Sequence, residues 1–213
     1  MRRPPILLTV ILTCLMLGAT SCRQQDEEDV PPVISGFFTA HSGSDGIIDF
    51  LTDDFGKEYD ITVKEYLTPN NTGRVVCTLE LDHTDPLRKP TGRIRSINYP
   101  MSYEAPTNLQ LHDSLKVKDP LRIVSSYIGG GHLNVHIEVM VSKEKAYHRV
   151  IYCRHLGYST PTFKIYHNSY GDNPVYSQKA YLSIPLTSCS KNDTITLISQ
   201  GFDGKYEIKH VYK

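Results

Sequence analysis

The chain has 213 residues, with 23 basic and 23 acidic side chains, 14 Tyr, 13 Pro and no Trp. A formal charge of zero supplies no basic stripe for neutralising phosphates, which argues against a nucleic-acid partner. So many tyrosines and prolines fit a β-rich protein better than a helical one.

At the N-terminus, Arg2 and Arg3 precede an apolar stretch over residues 6–17, broken only by Thr9 and Thr13. The small residues Gly18, Ala19, Thr20 and Ser21 then lead into Cys22. Charged start, apolar middle and small-residue end form a secretory signal. The apolar run is shorter than the roughly 20 residues that a spanning helix needs. With its cysteine directly after the small residues, the segment resembles the lipobox of bacterial lipoproteins, Ala19-Thr20-Ser21 standing where Leu-Ala-Gly is commoner. That resemblance implies cleavage before Cys22, lipid attachment at Cys22, and contact with the membrane through an N-terminal lipid anchor.

Removing residues 1–21 of the 213 leaves 192, with 21 basic and 23 acidic side chains and a net charge of −2. Residues 22–32 carry Asp26, Glu27, Glu28 and Asp29 and end in Pro31-Pro32, so they read as an acidic flexible tether. Arg23, not Asp, follows the cysteine, so the segment does not resemble an inner-membrane retention signal. The expected location is the outer membrane, with the chain either periplasm-facing or surface-exposed.

From there period-2 alternation dominates. Residues 33–98 contain five strand-like stretches: "PVISGFFTAH", "GIIDFLTDD", "EYDITVKE", "GRVVCTLEL" and "GRIRSIN". Asp53-Asp54-Phe55-Gly56 reads as a hairpin turn, its glycine taking a positive φ. Five short strands suit an OB-like β-barrel, a fold whose members bind oligonucleotides or sugars. Residues 99–120 hold three prolines without steady alternation and read as a linker, in which "LQLHDSLK" fits a short helix or a strand equally well.

Residues 121–213 return to strands. "HLNVHIEVMV" sets Leu133, Val135, Ile137, Val139 and Val141 on one face. Seven such stretches predict an antiparallel, immunoglobulin-like β-sandwich, so the whole is expected to be all-β. The Cys…Trp…Cys pattern of antibody domains is missing, and fold alone does not assign function.

No stretch carries a convincing catalytic, cofactor or metal signature. Gly129-Gly130-Gly131 leads into a strand, not a helix, and reads as a tight connection instead of a phosphate cradle. His132, His136 and Glu138 share a strand face, but residues four apart on a strand lie about 13 Å apart. They read as solvent-facing. Asp53 and Asp54 read as turn residues, favoured there for bonding their own backbone. Cys77 shares a face with Val75, Leu79 and Leu81 and reads as core, whereas pairing of Cys153 with Cys189 stays open. The tyrosines Tyr147, Tyr152, Tyr158, Tyr166, Tyr170, Tyr176 and Tyr181 crowd the second domain, either as a stacking patch or as residues straddling core and surface.

Taken together, the leader, "FLTDDFGKEYDI", "GRVVCTLEL", "SYIGGGHLNVHIEV", "FKIYHNSYGDN", "AYLSIPL" and "GKYEIKHVY" resemble the NigD-like lipoproteins. The strongest local matches are residues 127–135, with Tyr127 where the family commonly has Trp, and His167-Asn168. The resemblance implies an N-terminal OB domain followed by a C-terminal β-sandwich, and no catalytic residues. The function expected is a non-enzymatic envelope protein that binds a protein or glycan. The alternatives are a bacteriocin-immunity lipoprotein, on the family name, and then a small envelope hydrolase.

Overall fold

The computed structural model describes residues 31–68, 71–82, 87–102, 104, 106–142 and 147–213. The expected signal peptide, Cys22 and nearly all of the expected acidic tether lie outside the described residues.

Five strands, β1 (Val33–Ser42), β2 (Ile48–Asp53), β3 (Glu58–Ile61), β4 (Thr72–Leu81) and β5 (Thr91–Asn98), close a barrel in the order β1-β2-β3-β5-β4. All pairs are antiparallel except β3 with β5. Alternation along the strands fills the barrel with Phe38, Ala40, Ile48, Leu51, Val75, Cys77 and Leu79. β3 is shorter than its alternating sequence predicts. After Ile61 the chain leaves β5 and returns to the start of β2, where Ile48 N–H donates to Glu65 O (2.8 Å) and Leu67 N–H to Gly46 O (2.7 Å).

The sandwich comprises β6 (Arg122–Gly129), β7 (His132–Val141), β8 (Arg149–Arg154), β9 (Thr162–Asn168), β10 (Tyr176–Pro185), β11 (Thr194–Gly201) and β12 (Gly204–Val211). One sheet runs β10-β7-β6 and the other β12-β11-β9-β8. Leu133, Val135, Ile137, Val139 and Val141 are all buried between them, opposite Phe163, Ile165, Ile195 and Leu197. The sandwich departs from full antiparallelism at one place: β9 and β11 pair in parallel over three residues. The chain crosses to the other sheet for β10 between them, so β11 returns in the direction of β9.

The segment between the modules, residues 99–120, runs against the sandwich. It forms a strap along the sandwich, through bridges of Met101 to Leu182, Thr107 to Arg154 and Lys118 to His167. "LQLHDSLK" contributes a single 3₁₀ turn, Asp113–Leu115, with the His112 ring accepting from Ser114 N–H. Leu111 caps a small outer core with Cys153 and Tyr166. Cys77, Cys153 and Cys189 are all free, so the Cys153–Cys189 pairing is absent.

Candidate functional site

The motifs noted in the sequence converge where barrel meets sandwich. In the β2–β3 turn, Asp53 Oδ1 accepts from the N–H groups of Phe55 and Lys57, both at 2.9 Å, and Gly56 takes φ 86°. Asp53 Oδ2 accepts from Tyr59 OH of β3 (3.1 Å), so Asp53 is held within the barrel, and its neighbour Asp54 points at the sandwich. Asp54 Oδ1 pairs with Arg74 Nη2 of β4 at 2.8 Å, with both side chains under 5% exposed. Arg74 also donates to Thr39 Oγ1 (3.0 Å), Asn134 Oδ1 (3.0 Å) and Ser183 Oγ (3.2 Å). Asp54 Oδ2 accepts from Tyr127 OH (2.7 Å) and Asn134 Nδ2 (2.8 Å). Burial and the Asp54 carboxylate push the Tyr127 phenol well above its usual range.

This network satisfies a buried ion pair from both modules, the condition under which charge is tolerated away from water. Aromatic rings seal it, with Phe37 of the barrel edge-on to Tyr127 and Tyr181 of the sandwich at about 6 Å. Gly129 and Gly130 follow from the same packing. A Cβ on Gly129 would lie 2.6 Å from Asp54 Cβ, and one on Gly130 2.6 Å from Asp54 Oδ1. The glycine run is thus a close-approach surface for the barrel turn.

The expectation that His132 and His136 face solvent is corrected here. Both residues are half-buried: Tyr181 of the neighbouring strand β10 lies against His136, and His132 folds back on the β6–β7 turn beside the junction. His136 stacks on Tyr181 at 4.9 Å, and His132 Nδ1 bonds to Gly130 O at 2.7 Å. Burial lowers the pKa of both. Glu138 is engaged by Arg122. The tyrosines divide: Tyr152 and Tyr166 are core, Tyr181 belongs to the junction, and Tyr147, Tyr158, Tyr170 and Tyr176 are exposed.

Sequence reasoning missed a second cluster, because its members come from four separate segments. Asp172 Oδ2 accepts from Ser142 N–H (2.9 Å) and meets His148 Nε2 (3.1 Å). His148 Nδ1 meets His167 Nε2 (2.9 Å), and His167 Nδ1 meets Pro120 O (3.1 Å). A carbonyl only accepts, so His167 donates from Nδ1; burial holds its pKa low, leaving Nε2 as an acceptor. The Asp172 carboxylate likewise only accepts, so His148 donates to it from Nε2.

This Asp–His–His relay opens onto a cleft of about 200 Å³ that also includes Asp119, Ser169 and Phe202. It has the outline of a catalytic relay but ends on a backbone carbonyl instead of a nucleophile. The hydroxyl nearby, Ser169 Oγ, donates to Asp119 at 2.6 Å. Hydrogen bonds from Ser169 hold Asp119 below the usual carboxylate range, and those from Ser142 and His148 hold Asp172 down at about 2. Neither carboxyl keeps a proton at neutral pH, so neither supplies the acid that glycoside cleavage needs.

On the barrel, the face where OB folds bind ligands carries Phe50 stacked on His41 at 4.3 Å, with Lys89 over the Phe50 ring. Lys89 is neutralised by Glu58 (3.1 Å) and Asp60 (2.7 Å), which suits no polyanion. Among the described residues, no three His, Cys, Asp or Glu side chains converge as metal ligands, and no helix is long and apolar enough to cross a membrane.

Residues 105–210, the strap and sandwich just described, match the NigD-like C-terminal beta sandwich domain. The chain belongs to the NigD-like family. Solved structures extend the likeness across both modules. A NigD-like immunity protein from Bacteroides caccae superposes with TM-score 0.70 at 23% identity, over 86% of this chain and 99% of that one. A Parabacteroides distasonis protein described as toxin-related gives 0.64 at 16%, over 85% and 95%. A Bacteroides fragilis protein described as a lipoprotein gives 0.58 at 12%, over 86% and 99%. At these identities the likeness is one of fold. No curated protein is significantly similar in sequence. In this NigD-like chain, "TDDFGK", "GRVVC" and "YIGGGHLNV" build the junction, while His167 belongs to the relay and Asn168 accepts from Tyr170 N–H in the turn that follows.

Proposed function

We propose that this NigD-like chain is a non-enzymatic binding protein of the bacterial envelope, acylated at Cys22 and carried from the outer membrane on the acidic tether of residues 22–32. One observation supports the non-enzymatic part: among the described residues, the carboxylates, serine and histidines weighed above are already engaged. Asp54 is sealed against Arg74, Ser169 donates to an ionised Asp119, and the relay ends on Pro120 O. The two β modules, locked by a shared polar network, form a rigid presentation surface for a protein or glycan.

Cross-linking in intact cells, followed by affinity capture, tests this reading. One protein or glycan should be enriched, and lost when the exposed surface is altered. Turnover of a glycoside, ester or peptide by the purified chain, abolished by one Ser, Asp or Cys substitution, would overturn it.

A second reading, bacteriocin immunity, is supported by the fold shared with the B. caccae NigD-like immunity protein. On that reading, the captured partner is a secreted toxin, and deleting the gene sensitises cells to culture supernatants of sibling strains. Unchanged sensitivity would remove it.

A further inference from the structure

A hollow of about 510 Å³ lies between the strap and the connection that follows β10, within the roughly 300–1,000 Å³ of small-molecule pockets. Thr107, Gln110, Arg154, Thr187 and Ser188 line it, with Pro106 and Pro185 as apolar walls and the exposed Glu104 at its rim. Its floor is fixed by backbone bonds: Arg154 N–H donates to Pro106 O (2.8 Å) and Asn108 N–H to Arg154 O (2.9 Å). Gln110 Oε1 accepts from Thr107 N–H at 2.7 Å, which leaves its amide –NH₂ to donate elsewhere.

Arg154 is the cation of the hollow, and like Arg149, which lies over the Tyr170 ring, it is in no ion pair among the described residues. Arg74 is paired with Asp54, Arg93 and Arg95 with Glu80, and Arg122 with Glu138. Among the described residues Arg154 has no such carboxylate, and its side chain makes one hydrogen bond, from Nη1 to Ser188 O at 3.2 Å. A guanidinium presents five N–H donors in a planar fork that matches a carboxylate. Most of that fork is unspent, in a hollow otherwise lined by hydroxyls, an amide and prolines.

We infer that this hollow binds an acidic saccharide, its carboxylate seated on Arg154. The lining charges cancel, Arg154 against Glu104, so a phosphate or other multiply charged anion lacks the cations it needs. A single carboxylate on a hydroxylated ring meets all the lining at once. Arg154 holds the carboxylate, and Glu104 accepts from ring hydroxyls. Gln110 and the Thr and Ser hydroxyls bond the remaining hydroxyls, and the prolines face the C–H surface of the ring. The inference rests on the binding-protein reading and gives it a ligand class.

Titration calorimetry on the full acylated protein in detergent tests it with three probes: a glucuronate-terminated disaccharide, its neutral glucose-terminated counterpart, and an N-acetylated dipeptide bearing a free carboxylate. The uronate should bind about tenfold or more tighter than the neutral sugar. Arg154→Gln should erase that difference, and Arg154→Lys should keep part of it, with circular dichroism confirming that both variants fold. Equal binding of uronate and neutral sugar, or an unaffected Arg154→Gln, overturns the site. A dipeptide that binds as well as the uronate overturns the saccharide assignment. Cross-linking in cells reports capture of any protein or glycan, whereas calorimetry reports this hollow alone, so a failure there and a failure here are told apart.

Discussion

At the scale of single residues, Asp54 matters most, and the sequence disguises it. Two adjacent aspartates in a tight turn look equivalent, and Asp53 does perform the expected role by accepting two turn N–H groups. Asp54 differs only because the barrel brings it Arg74 from 20 residues away and the sandwich brings it Tyr127 and Asn134 from 73 and 80, which no local pattern encodes. Removing one partner of a buried ion pair strands the other charge, so Asp54→Ala is expected to cost about 3–5 kcal/mol in urea unfolding. A loss below about 1 kcal/mol would mean that water already reaches the pair. Protonation gives a second prediction. Burial lowers the pKa of His132, His136, His167 and His210 in the folded chain, whereas unfolded rings titrate near 6.5. The unfolded state therefore binds more protons below pH 6.5, and stability should be full above about pH 7 and fall as pH drops through 6 and 5. Asp119 and Asp172 have lowered values as well, so a further loss should follow below about pH 4. Urea midpoints measured from pH 8 to 3 would show both steps; a midpoint flat from pH 7 to 5 would contradict the first.

At the scale of elements, the strands were legible and their partners were not. Alternation locates the twelve strands among the described residues because side chains on a strand repeat every two residues and one face of each meets a core. It cannot reveal that the second face of β7 is also partly covered, which is why His132 and His136 read as exposed. Nor does it reveal the parallel β9–β11 pair or the docking of the strap, since both depend on crossings between sheets. The β6–β7 turn offers a test of how closely the modules approach. Gly129→Ala places a methyl 2.6 Å from Asp54 Cβ and should cost about 1–3 kcal/mol by overpacking. Gly131→Ala meets open space and suffers only its φ of 73°, a cost of about 1–2 kcal/mol. In double-mutant cycles with Asp54→Ala, Gly129→Ala should couple by more than about 0.5 kcal/mol and Gly131→Ala should add independently. Additivity of both would mean that Gly129 has no part in the junction.

At the scale of the whole molecule, the buried network makes barrel and sandwich one mechanical unit, as residues 32–213 form one compact body. Barrel and sandwich should therefore unfold together. Far-ultraviolet dichroism and tyrosine fluorescence are expected to trace one coincident urea transition, and Asp54→Ala is expected to split it. Two transitions in the unaltered chain would show the modules to be independent. The proposed placement on the envelope rests on residues 1–22, whose charged start, apolar run and cysteine have the pattern of an export signal, a chemistry separate from folding. Whether Cys22 carries lipid is the most direct question about this chain, and intact-mass analysis of protein extracted from native membranes answers it. The expected mass is that of residues 22–213 plus a diacylglyceryl thioether and N-terminal acylation. A chain that retains its first 21 residues, or that begins at Cys22 without acyl groups, would contradict the anchored binding protein described above.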